Sequence, residues 1–237
     1  MIPLRDINPT RSKPWVTYIF IGANVGVFAA QLVFGEAFGR MLHLRFGVIP
    51  AVLSGSVAPE AVTLGAYITP LTSMFLHGGW MHILGNMWFL HVFGDNVEEA
   101  LGRKRFVLFY LLSGLAAALG QIVVDPSSQI PMIGASGAVS GVLAGYVRLY
   151  PHARVLTLVP IFIFLQFVEL PAYIFIFVWF AIQVFSGWSS LGGVGGGVAW
   201  FAHIGGFVAG FALITLLRKG RPPRNRRGSS RGTSWLA

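Results

Sequence analysis

Gly134-Ala135-Ser136-Gly137 opens an apolar run that continues through Gly141 and Gly145 to Tyr150, and Ala202-His203-Ile204-Gly205-Gly206 lies inside a second run, Val198 to Leu217. A serine between glycines and a histidine among small residues are a nucleophile and a general base in kind. Which solvent surrounds them decides the fold.

Composition answers that question. The chain is 55% hydrophobic and 11% charged over 237 residues, where soluble domains carry about 25% charged residues, and its mean hydropathy is +0.71. That is the composition of an integral membrane protein, with room for several spans of about 20 residues in one bundle. Cysteine is absent, which excludes disulfides, thiolate metal sites and cysteine nucleophiles. The formal charge of +9 gathers in the tail 218–237, at Arg218, Lys219, Arg221, Arg224, Arg226, Arg227 and Arg231. A basic cluster beside a span reads as a cytoplasmic topology signal and a contact for anionic lipid, not as a nucleic-acid surface. The Arg, Ser, Gly and Pro content of this tail predicts disorder.

Reading outward from the two motifs gives six spans. After a basic head, 1–14, come Trp15 to Phe34, then Trp80 to Ala100, Phe106 to Val124, a short Ser136 to Tyr150, Leu170 to Phe185, and Val198 to Leu217. The mixed stretch Gly35 to Ser73 reads as an amphipathic loop lying in the interface. The segment 155–168, broken by Pro160, reads as a second interfacial piece. The expected fold is an all-α, polytopic bundle of six transmembrane helices over 15–217. The head, Arg103-Lys104-Arg105, Arg154 and the tail then share one side, which places both termini in the cytoplasm. The expected location is multi-pass in a bacterial plasma membrane.

In this topology spans two, four and six enter from the outer side and carry their polar residues near that entrance: His82 and Asn86, Ser136, and His203. A rise of 1.5 Å per residue puts these groups at comparable depths, roughly 5–12 Å below the boundary. Polar side chains at such depth mark function. Gly137, Gly141 and Gly145 form one small-residue ridge, and Ala202, Gly206 and Gly210 another, so the two helices can approach closely enough for Ser136 to meet His203. Taken alone, Ser136 fits a helix N-cap, and His203 fits an interhelical hydrogen-bond partner. On span two, His82 and Asn86 share a face, with His77 just before it; neutral donors so placed suit an oxyanion hole. A metal site is the other use of histidines, but no His-Glu-Xaa-Xaa-His pattern or nearby acid accompanies them. Asp95, Glu98 and Glu99 are expected to pair with Arg103 to Arg105. Span five, with bulky Phe175, Trp179 and Phe180 and no small-residue ridge, is the expected entrance for a substrate helix.

At this order and spacing the motifs resemble those of the rhomboid intramembrane serine proteases. The resemblance covers Trp15 to Leu217 and rests on His77, His82 and Asn86, on Gly134 to Gly137, and on Ala202 to Gly206. It implies a Ser136–His203 dyad without an acid, and an oxyanion hole formed by His82, Asn86 and the Ser136 amide, with Gly134 and Ala135 in the same turn and His77, Gly137 and Gly206 as structural neighbours. It also implies transmembrane proteins as substrates, cut near the outer face, with no cofactor and no metal. Two positions depart from the pattern. Ile68-Thr69 stands where many members have Trp-Arg in the first loop, and Ser140 stands where some have an aromatic stacked on the catalytic histidine. A catalytically silent rhomboid-like binder and a small transporter are the competing readings; the first is disfavoured by the presence of Ser136, His203 and Asn86, the second by the lack of an inverted repeat.

Overall fold

The computed structural model describes residues 1–57, 64–161, 164–190 and 198–218. The tail from 219 and the Gly-rich link 191–197 lie outside the described residues. In chain order the elements are β1 (Ile2–Asp6), α1 (Trp15–Val33), α2 (Gly35–Phe46), the single turns α3 (Pro50–Leu53) and α4 (Thr69–Thr72), α5 (Trp80–Leu101), α6 (Arg103–Val124), α7 (Ser136–Leu149), β2 (Arg154–Ile161), β3 (Phe164–Pro171), α8 (Ala172–Ser190) and α9 (Trp200–Leu217).

The chain is mostly helical, and α1, α6, α8 and α9 are each long and apolar enough to cross a membrane. Their outward side chains are apolar and bare, among them Val123, Phe177 and Leu216, each at least 70% exposed. Such a surface suits lipid, not water. The shortest of the long helices, α7, is the core: every residue from Gly137 to Tyr146 is buried. Its glycines explain how. A Cβ on Gly137 would collide with Ala117 of α6, and one on Gly141 with Ser113, while Gly206 and Gly210 of α9 abut the backbones of Gly137 and Gly141. Gly120 and Gly205 bring α6 and α9 equally close, with the Gly205 Cα 3.2 Å from the Cβ position of Gly120. Dispersion between backbones this near holds the three helices together where lipid supplies no hydrophobic force.

The fold is not all-α. Residues 154–171 form a hairpin, β2 with β3, paired from Arg154↔Pro171 to Ile161↔Phe164, and β1 adds antiparallel to β2 to complete a three-stranded sheet in the order β1-β2-β3. The cause is local. Val155, Thr157, Val159, Phe164, Phe167 and Val168 favour extended backbone, and Pro160 bars a helix across the segment. Pairing with β1 stops at Leu158, before the residue that has no N–H to donate. Helix α8 consequently starts at Ala172, whose N–H donates to the Ala153 carbonyl at 2.8 Å.

The acids near the end of α5 also differ from expectation, since among the described residues none forms an ion pair with Arg103 to Arg105. The Glu98 carboxylate instead accepts from the Val16 and Thr17 amides and the Thr17 hydroxyl, at 2.8–3.1 Å. It thereby caps the first turn of α1, where unpaired donors and the helix dipole favour an anion. Glu99 accepts from the Arg11 and Ser12 amides. Asp6 accepts from Asn96 at 2.7 Å and from the Tyr146 hydroxyl at 2.9 Å. These bonds tie the polar head to one end of the bundle.

Candidate active site

Gly134 sets the geometry of the turn before α7. Its φ of +119° is a conformation that side chains resist, and a Cβ there would lie 2.5 Å from the His82 Nε2. Only glycine lets the imidazole reach the backbone at this point. The Gly134 amide donates to the Ser73 carbonyl at 2.9 Å, and Met132 exchanges two backbone hydrogen bonds with Val48. The first loop thus grips the turn without the Trp-Arg pair: Ala51 donates to Ser128, and the Thr72 hydroxyl donates to the Phe46 carbonyl.

Ser136 is the first residue of α7, and its Oγ lies 2.8 Å from the His203 Nε2 on α9. The Gly137–Gly206 contact one turn away brings the two helices into this register. Both side chains are partly exposed and line a cavity of about 640 Å³ together with His82, Asn86, Gly134, Trp179 and Gln183. Ala135 is fully buried beneath the turn. Of the residues singled out in the sequence, the structure therefore gathers Ser136, His203, His82, Asn86 and Gly134 around one space. His77 stands behind it, 1% exposed.

The polar groups on α5 are oriented from behind. The Asn86 Nδ2 donates to the His77 Nε2 at 3.0 Å, and the His77 and His82 rings meet edge to face with centroids 5.0 Å apart. Burial, then the proximity of His82, lowers the His77 pKa to about 3, so its ring stays neutral and can accept from Asn86. The His82 Nδ1 accepts from the Gly78 amide at 3.4 Å, which leaves Nε2–H as the donor on the cavity side. Gln31 of α1 donates to the His77 carbonyl at 3.0 Å and to the His43 ring at 2.8 Å. Gln31 was not visible as a site residue in the sequence; its one signal is polarity within an apolar span.

The support of His203 also differs from expectation. Ser140, at the position of the missing aromatic, turns away and donates to the Ser136 carbonyl at 2.6 Å. The imidazole is flanked instead by Trp179 and Trp200, with centroids at 6.3 and 5.9 Å, and its Nδ1 lies 2.7 Å from the Gln183 Oε1 on α8. Phe175 faces the bundle, not lipid. It is 1% exposed and packs against Phe89 and Phe93 of α5, while Phe180 stacks on Phe207 of α9 at 4.2 Å.

A family profile described as Rhomboid domain matches residues 64–220, more than half of the chain. The chain belongs to the rhomboid family. Among its relatives is RHOMBOID-like protein 4 of Arabidopsis thaliana, 29% identical over 86% of this chain and 53% of the plant protein. Rhomboid protein 1, mitochondrial, of Saccharomyces cerevisiae is 27% identical over 71% of this chain and 47% of its own length. Inactive rhomboid protein 1 of Drosophila melanogaster is 33% identical over 33% of this chain and 5% of its own length. The rhomboid chain described here thus spans about half the length of the first two relatives and a small fraction of the third.

Proposed function

We propose that this rhomboid is an intramembrane serine endopeptidase that cuts transmembrane proteins near the outer face of the bilayer. The observation that carries the reading is the 2.8 Å approach of the Ser136 Oγ to the His203 Nε2 on the wall of a cavity. Ser136 attacks a peptide carbonyl while His203 takes its proton, and as the C–N bond breaks His203 returns that proton to the leaving amine. Water then hydrolyses the acyl-enzyme by the same route. The developing oxyanion is met by the Ser136 amide, the second Asn86 N–H and the His82 Nε2–H. Fixed donors of this kind lower the barrier most where water is scarce.

The same reading adds α5 and α7, as spans two and four, to the four apolar helices α1, α6, α8 and α9, with α2 to α4 lying at the interface. Basic residues at 103–105, at 154 and in the tail then lie on the cytoplasmic side with both termini, and the tail meets anionic lipid. The domain consists of 15–217 between two polar ends. Helix α8 is the entrance, since lipid lies beyond its exposed Phe177 and Phe185 and it meets α5 and α9 through side chains such as Phe175, Trp179, Phe180 and Gln183, without the glycine-to-glycine backbone contacts that join α7 to α9.

Purified protein in proteoliposomes provides the test. A fluorophosphonate should label Ser136, and Ser136→Ala and His203→Ala should each abolish cleavage of a transmembrane substrate. An unlabelled wild type that cleaves nothing would favour the silent binder, a reading kept open by the likeness to a relative named inactive.

A further inference from the structure

Between Ile174 and Phe185 the helix α8 reads IFIFVWFAIQVF, and Gln183 is its one strongly polar side chain. Gln183 is 6% exposed. A buried amide in an apolar helix is costly unless both ends are hydrogen-bonded. Both are. Its Nε2 donates to the Trp179 carbonyl one turn back at 3.3 Å, and its Oε1 faces the His203 Nδ1 at 2.7 Å.

The first bond fixes the second. Turning the amide over would set its oxygen against the Trp179 carbonyl, two acceptors face to face, so the oxygen belongs on the histidine side. An acceptor there requires Nδ1 to carry the proton. The other nitrogen, Nε2, is then the lone pair, and it points at the Ser136 hydroxyl. We propose that Gln183 is the positioning residue of the dyad, holding His203 in the tautomer and ring orientation that can take the proton from Ser136. This rests on the protease reading above. The arrangement differs from a carboxylate triad in one physical respect: an amide carbonyl selects the tautomer without bringing a second charge into the bilayer, where an unpaired carboxylate would be expensive.

The test uses the full chain in detergent micelles with a soluble fluorogenic peptide, comparing wild type, Gln183→Met and Gln183→Glu. Gln183→Met keeps the length and removes the acceptor. It should lower kcat by about tenfold or more, the order expected for one lost hydrogen bond, with KM within about twofold. Gln183→Glu keeps the acceptor and adds charge. It should recover kcat relative to Gln183→Met and move the acid limb of the pH–rate profile to higher pH by about one unit, which a packing role would not do. In the wild type, 15N spectra of the His203 imidazole should show Nδ1 protonated and Nε2 bare, a reading that needs no variant to fold. A kcat for Gln183→Met equal to wild type, or a wild-type ring protonated on Nε2, would overturn the proposal. A wild type that cleaves nothing and takes no label would instead overturn the protease reading, leaving the tautomer measurement to judge Gln183 by itself.

Discussion

Gly206 on α9 lies against the backbone carbonyl of Gly137 on α7, with no room between them for a methyl group. Because Gly137 follows Ser136 directly and Gly206 is three residues past His203, this contact sets how far apart the two reacting side chains stand. Backbone cannot yield as a side-chain tip can. Gly206→Ala should therefore push α9 outward, lowering stability by about 1–3 kcal/mol and cleavage by about 100-fold. Gly210→Ala meets the Gly141 backbone in the same way but one turn further from the dyad. It should cost similar stability and distinctly less activity; equal activity losses in the two variants, measured beside their melting temperatures, would detach the ridge from the chemistry.

Asn86→Ala removes a donor from the proposed oxyanion position and should lower kcat by about 10²–10³-fold with little change in KM. The one hydrogen bond of the His77 ring goes to the Asn86 amide, beside an edge-to-face contact with His82, so the loss in His77→Ala should be smaller, and most of it should vanish on top of Asn86→Ala. Steady-state kinetics on the two single variants and the double variant decide this. Fully additive losses would mean that His77 acts independently of Asn86.

Chelation should leave the rate unchanged. The His77 Nε2 is engaged by Asn86 and the His82 Nδ1 by the Gly78 amide, so one nitrogen of each ring is already taken by a hydrogen bond, and among the described residues no group of three His, Cys, Asp or Glu stands placed to hold a metal. Inhibition by EDTA that zinc restores would reverse their assignment.

The carboxyl of Asp6 is raised to about 7, chiefly by burial and then by neighbouring Asp95, against the opposing bonds from Tyr146 and Asn96. An acid that binds its proton more tightly when folded contributes stability that is full below its ordinary pKa of 3.8 and is lost as pH rises through about 7. Asp6→Asn keeps an acceptor for Tyr146 and removes the charge. Its melting temperature should exceed that of wild type by a margin that widens from pH 5 to pH 8. Parallel curves across that range would show that Asp6 does not titrate there.

Shortening Phe180 to Ala should raise cleavage of a transmembrane substrate more than that of a soluble peptide, since its side chain fills the seam between α8 and α9, whereas Trp179 also flanks His203. A comparable change for both substrates would place the entrance elsewhere.

The candidate site was legible in the sequence only as a set, since Ser136 alone fits an N-cap and His203 alone fits an interhelical hydrogen-bond partner. The four-residue spacing of the glycines on α7 and α9 marked the two helices that could touch, and the structure brings them together there. The hairpin at 154–171 was not legible, because a largely apolar segment interrupted by Pro160 satisfies a buried strand and an interfacial piece alike, and its pairing partner β1 (Ile2–Asp6) lies at the other end of the chain, in a head that composition marks as polar. The role of Glu98 is hidden for a related reason: proximity in sequence favours Arg103, while the unpaired amides of α1 become its neighbours only through packing. Gln183 had a visible signal, one amide among eleven apolar residues between Ile174 and Phe185, but its partner lies 20 residues on and no local pattern joins them.

The position of Gln183 on α8 has a consequence for timing. The helix that would have to swing aside to admit a substrate is the one that holds His203 in its proton-accepting form. Phe180 and Gln183 are three residues apart on one rigid rod, so a displacement wide enough to unstack Phe180 from Phe207 also carries the amide beyond reach of the imidazole. If α8 is the gate of the proposed protease, an open wall would leave the serine facing a ring free to turn, and closure around a guest would set the base again. Entry and attack would then be separate events, and water or a passing lipid ester slipping through the open seam would meet a base out of its proton-accepting form.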